Sequence, residues 1–92
     1  MAKSILSTER KCYLCGSQQM IEEHHIYSGA LRKISEKHGF KVYLCHYCHN
    51  EPPNGVHFCK ERNLLLKRQC QREYEKTHSR ADFIRIIGRN YL

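Results

Sequence analysis

The chain has 92 residues, enough for one small domain whose limited core is naturally supplemented by a structural metal or a partner subunit. Sixteen Lys and Arg against nine Asp and Glu give a formal charge of +7, which favours a polyanionic partner. No apolar run approaches the roughly 20 residues of a membrane span, so a soluble protein with no membrane partner is expected.

The asymmetry of charge sharpens this. Ten basic residues lie from Lys41 onward against five acidic ones. The six cysteines admit a disulfide framework. The opening MAKSILSTER, however, is polar and lacks the apolar stretch of a signal peptide, which points to an intracellular chain whose thiols bind metal.

Residues 1–11 show no periodicity and are expected to form a flexible arm, outside a single domain at 12–92, with Lys3, Arg10 and Lys11 free for electrostatics. Lys11 to Gly16 (KCYLCG) is a Cys-x-x-Cys closed by a glycine, which lets the loop curl until both sulfurs face one point. Gln19 to Ile26 alternates, with Met20, Glu22, His24 and Ile26 on one side and Ile21, Glu23 and His25 on the other, and reads as a strand. Ser28 and Gly29 open a helical piece with Leu31 and Ile34 inward, Arg32, Lys33 and Lys37 outward, and Gly39 as its stop. Phe40 to Leu44 alternates again and runs straight into Cys45, so the two strands form a hairpin with the helix as its connection.

After Cys48, Pro52-Pro53-Asn54-Gly55 forces a turn. A long helix is expected over 56–78, with Val56, Cys59, Leu66, Cys70 and Tyr74 as its inward stripe. Ser79 caps a last helix, Arg80 to Ile87, whose Phe83, Ile84, Ile86 and Ile87 close over the core before Gly88 ends it. The expected class is α+β, a small zinc-stabilised domain without repeats.

Two constellations carry chemistry. Cys12, Cys15, Cys45 and Cys48 form two Cys-x-x-Cys pairs separated by 29 residues. Two such pairs complete the four-sulfur shell of a closed structural zinc site, with His46 or Cys59 as alternatives for one ligand. Cys59 and Cys70 otherwise read as small buried apolar residues. The second constellation is His24-His25, His49 and His57. Neighbouring histidines on a regular strand point to opposite sides, so one can ligate a metal while the other stands beside a substrate. The competing reading is a set of histidines with no second metal.

Glu23-His24-His25-Ile26, Leu44-Cys45-x-x-Cys48-His49 and Val56-His57 together resemble the HNH group of ββα-metal (His-Me finger) endonucleases. The four-cysteine frame is similar to that of phage endonuclease VII, and the run from His24 to His57 resembles small phage HNH proteins and Ref-type nucleases. The likeness spans residues 12 to about 78. It implies a ββα-metal core, a structural Zn²⁺ on the four cysteines, and a catalytic Mg²⁺, Mn²⁺ or Zn²⁺ on His24, His49 and His57. His25 takes the place of the general base, and Arg32, Lys33, Lys37, Lys60 and Arg68 are candidates for contacts to nucleic-acid phosphates. It further implies a phage or prophage protein in the bacterial cytoplasm, a monomer or homodimer, acting on DNA with a recombination or packaging protein as a further partner.

The chain departs from that pattern in two places. No asparagine occurs within Phe40 to Leu44, which leaves Asn50 or Asn54 to serve, or His49 as its replacement, and Tyr27-Ser28 stands where a proline often follows His-His-Ile.

The zinc deaminases are excluded because the Pro that precedes the first Cys of their signature is missing. A C2H2 finger is excluded because eight residues, where about twelve are expected, separate Cys15 from His24. The resulting expectation is a metal-dependent endonuclease of low sequence specificity. Its alternative is a catalytically inactive, zinc-stabilised module that binds nucleic acid or protein.

Overall fold

The computed structural model describes residues 3–92. An antiparallel hairpin pairs β1 (Ile21–His25) with β2 (Lys41–Cys45), in a register that sets Ile21 opposite Cys45 and His25 opposite Lys41. Between the strands runs a single 3₁₀ turn, Gly29–Leu31, followed by α1 (Arg32–His38). β2 passes directly into a short helix α2 (His46–Asn50); α3 (Lys60–Tyr74) and α4 (Arg80–Ile87) complete the fold. No helix among the described residues is long and apolar enough to cross a membrane.

The hairpin's alternation divides its residues by face. Cross-strand partners point the same way, so Glu22 and His24 share a side with Leu44 and Val42, while Ile21, Glu23 and His25 share the other with Cys45, Tyr43 and Lys41. The inner side meets the core, where Tyr27, Phe40, Leu66 and Phe83 are fully buried. Phe40 lies edge-on to Tyr27 and Tyr74, with ring centroids 5.5 and 5.4 Å apart, the arrangement that aromatic quadrupoles favour.

Buried Ser35 of α1 closes the hairpin connection. Its hydroxyl donates to the Tyr27 carbonyl at 2.6 Å and accepts from the Tyr27 amide at 3.2 Å.

The long helix is shorter than its apolar pattern suggests. It begins at Lys60 instead of position 56, because the amides of Val56 and His57 donate back to the carbonyls of Cys48 and His49 and the Cys59 backbone is extended. His57 therefore lies in the turns that precede α3, not in its first turn. The helix ends at Tyr74 instead of His78. There the amides of Lys76, Thr77 and His78 bond the carbonyls of Glu73 and Tyr74, and Ser79 begins α4 by accepting from the Asp82 amide at 3.0 Å.

Two members of the expected apolar faces also fall elsewhere. Cys59 is half-buried and Ile84 exposed, while the polar Gln71 is fully enclosed. Of the expected arm, residues 1 and 2 lie outside the described residues. From Lys3 the chain crosses the end of α1, where the Ile5 amide donates to the Gly39 carbonyl at 3.0 Å and Ile5 and Leu6 pack against the core.

That crossing makes two similar glycines unequal. Gly39 and Gly88 both end helices in the left-handed region, at φ 74° and 87°. A Cβ on Gly88 meets open space, whereas one on Gly39 would fall 2.1 Å from the Lys3 carbonyl oxygen. Gly88→Ala is expected to cost about 1–2 kcal/mol in urea unfolding. Gly39→Ala should exceed about 3 kcal/mol, since strain and a backbone clash combine. Equal losses would contradict the docking of Lys3 over α1.

Candidate functional site

The first cysteine pair is shaped by its own backbone. Gly16 takes φ 80° and its amide returns to the Cys12 carbonyl, while the Cys15 amide points at the Cys12 sulfur at 3.4 Å. The Tyr13 amide donates to the Tyr43 carbonyl and so fixes this turn to β2. The second pair is placed by the strand-to-helix junction, with Cys45 at the end of β2 and Cys48 in α2. Sulfur atoms of all four cysteines lie within 4.8 Å of one another.

The Cys15 and Cys45 sulfurs are 3.6 Å apart, far beyond a disulfide and close to the edge of about 3.8 Å that a tetrahedron of Zn–S bonds requires. Burial pushes the Cys12 thiol up, but amide hydrogen bonds from Cys45, Cys15 and Leu14 outweigh it and bring its pKa to about 6. A frame with one sulfur already biased toward thiolate could hold a structural zinc. His46 and Cys59 do not join it. The His46 ring is held between the carboxylates of Glu22 and Glu51, at 3.0 and 2.9 Å.

Three histidines form a second cluster beside the first. His24 of β1, His49 of α2 and His57 of the following turns each bring a ring nitrogen within 4.8 Å of the others. The Nε2 atoms of His49 and His57 are 3.0 Å apart, and the His24 ring meets both edge-on at centroid distances of 5.1 and 5.3 Å.

His24 is 3% exposed, and its Nε2 is buried with no hydrogen-bond partner among the described residues. Desolvation, followed by the positive potential of His49, His57, His25 and Lys67, lowers its pKa to about 3, so the ring is neutral near neutral pH. Desolvation lowers His57 as well. Neutral imidazole is the ligand form, and a buried ring nitrogen without a partner, on a histidine grouped with two others, is a group that a cation could satisfy. The residues therefore fit a divalent ion with three nitrogen ligands and open positions, since His57 is exposed.

Glu22 was not anticipated from the sequence, yet it organises this cluster. Its Oε1 accepts from His49 Nδ1 at 2.7 Å and from Asn50 Nδ2 at 3.0 Å, while its Oε2 meets His46 Nδ1. Hydrogen bonds to His49 and then His46 hold its own pKa below the usual carboxylate range, and the same contact with Glu22 raises that of His46. With a proton on Nδ1 facing Glu22, His49 presents the Nε2 lone pair toward His24 and His57. A carboxylate behind a metal-ligating histidine has this effect. The alternating Glu22 and His24 positions were the available signal, but the partner lies 27 residues away in sequence.

His25 faces the opposite side of the strand. Its Nε2 lies 3.8 Å from carboxylate oxygens of Glu23 and Glu36, and these three side chains form a third cluster of possible metal ligands. Lys41 already supplies a cation there: 6% exposed, it pairs with both glutamates. The candidate phosphate contacts are less focused. Arg32, Lys33 and Lys37 are exposed on α1, Lys60 and Arg68 on α3, and none forms an ion pair among the described residues.

Metal analysis is expected to give at least one zinc per chain, with Cys48→Ser losing it together with much of the thermal stability; a wild-type chain that refolds unchanged in a strong chelator would contradict this. Glu22→Gln should weaken metal binding at the histidines by about 10–100-fold in a calorimetric titration while leaving the cysteine-bound metal in place.

No family model, curated protein or solved structure matches this chain. The chemistry assigned to it accordingly rests on the geometry of its own cysteines and histidines.

Proposed function

We propose that the chain is a metal-dependent endonuclease of the HNH class that hydrolyses DNA phosphodiester bonds with little sequence specificity. The observation that carries the reading is the convergence of His24, His49 and His57, with His24 keeping a buried nitrogen that has no partner among the described residues. A divalent ion held by these three would polarise a phosphate oxygen and stabilise charge on the leaving oxygen.

The remaining steps belong to the chain. Glu22 fixes the His49 tautomer and thereby the direction of its lone pair. His25 is assigned the proton of the attacking water, a task suited to an imidazole near neutral pH. The water oxygen then bonds to phosphorus as the bond to the leaving oxygen breaks, and that oxygen departs with the electron pair. Glu23 and Glu36, 3.8 Å from His25 Nε2, are placed to pair with the ring once it has taken the proton. A groove of about 500 Å³ bounded by Ser4, Ser7, Lys41 and Tyr43 borders Glu23 on this side of the hairpin.

The position of His25, on the strand face opposite His24, favours a second reading: a catalytically inactive zinc-stabilised module that binds nucleic acid or protein. Supercoiled plasmid separates the two. With Mg²⁺, Mn²⁺ or Zn²⁺ the wild-type chain is expected to nick it, His25→Ala to lose about 10²–10⁴-fold in rate, and His49→Ala to lose activity together with metal binding. A wild-type chain that binds the plasmid without nicking it under all three metals would overturn the nuclease reading and leave the binding module.

A further inference from the structure

The last residues of the chain are held with unusual care. Gln71 of α3 is 0% exposed, and its side-chain amide is committed to the C-terminal segment: Oε1 accepts from the Tyr91 amide at 2.8 Å and Nε2 donates to Asn90 Oδ1 at 2.8 Å. Arg68 Nε adds a third bond, to the Tyr91 carbonyl at 3.1 Å. These contacts lay the Tyr91 ring against Tyr27, centroid to centroid 5.6 Å. Tyr27 follows β1, and its hydroxyl donates to the Lys67 carbonyl at 2.7 Å, which ties this part of α3 to the strand that carries His24 and His25.

Two cations meet on the ring so placed. Lys67 Nζ lies 5.4 Å and Arg89 Cζ 5.1 Å from the Tyr91 centroid. Neither pairs with a carboxylate among the described residues, although the surface holds several ion pairs elsewhere. Desolvation and the charge of Arg89 both depress Lys67, and Lys67 in turn is one of the charges felt by His24. Two like charges near one partly buried ring repel each other, the ring's negative face offsets part of that repulsion, and a shared anion would offset more of it.

We infer that Lys67 and Arg89, gathered on Tyr91, form a clamp for one backbone phosphate of a nucleic acid strand running past the three-histidine cluster. Arg supplies planar paired donors and Lys a mobile point charge, a combination suited to a phosphodiester, which offers two unesterified oxygens. The occupant being nucleic acid rests on the proposed nuclease reading, and neither residue belongs to the set that the sequence singled out for phosphate contacts.

The test is fluorescence anisotropy of a short labelled duplex with the metal-loaded full chain at several salt concentrations. Lys67→Gln and Arg89→Gln are each expected to weaken binding by about 3–10-fold near 0.1 M salt, and the double variant to reduce the log–log salt slope by about 0.9, the contribution of one phosphate. Lys67→Arg and Arg89→Lys should retain the slope, and Lys76→Gln, at an exposed lysine already paired with Glu73, should change affinity by less than about twofold.

A wild-type chain that binds the duplex with this dependence but does not nick plasmid would remove the nuclease reading and leave the clamp. One that nicks plasmid while the double variant keeps the wild-type slope would remove the clamp alone. Absence of duplex binding, or displacement of duplex by polyglutamate as readily as by unlabelled duplex, would overturn the assignment to nucleic acid.

Discussion

The direct passage of β2 into α2 at Cys45 is the constraint on which the rest of this structure depends. A strand that ends in one cysteine and turns at once into a helix brings the next cysteine back toward the first pair, so four sulfurs gather without any long excursion of chain. The same helical turn sends His49, the neighbour of Cys48, toward the hairpin's inner side. One turn of helix thus faces two clusters. A small domain buries too little surface to hold a loop such as 51–59 by packing alone. Here two of that loop's amides, those of Val56 and His57, are satisfied by the carbonyls of Cys48 and His49 in α2, and its position follows from that of the sulfurs.

The polar groups in the interior follow the same economy. Ser35 closes the hairpin connection, Gln71 fixes the C-terminal segment, and Lys41 pairs with two glutamates. Each buried polar side chain has its partners, as burial requires. His24 is the exception among the described residues, and its ring lies where two other imidazoles converge. In a chain that leaves no other such atom among the described residues, that exception distinguishes this cluster from the rest of the interior. Glu22 strengthens the distinction, because its carboxylate sets the orientation of His49 from behind.

Much of this arrangement was legible in the residues. Cys-x-x-Cys spacing, the alternation of β1 and β2, the glycine after α1 and the serine before α4 are local signals, and local signals decide local structure. What the sequence concealed was long-range. Val56 and Cys59 continue the apolar rhythm of α3, but the backbone at 56–57 finds its partners in α2, so tertiary hydrogen bonding overrides periodicity. Gln71 is absent from the predicted inward stripe because its partners are in the C-terminal segment, 19 and 20 residues away. Glu22 and Lys67 carry no motif at all, since what marks them is a partner far away in sequence. His24 and His25 were separable from the outset, because alternation alone sends neighbours to opposite faces.

The turn after α2 adds a geometric consequence. At Gly55 a Cβ would lie 2.8 Å from both the amide nitrogen and the carbonyl oxygen of Glu51, and 3.0 Å from the His49 carbonyl, so this glycine is wedged between two backbones. Two steps later the His57 amide reaches that same His49 carbonyl. The separation between the second and third histidines is therefore set by main chain against main chain, with no flexible side chain to absorb an extra residue. Length, more than composition, is the quantity this loop must keep. A chain drifting in sequence could exchange most residues of the segment and retain the cluster, whereas a single insertion between His49 and His57 would dismantle it.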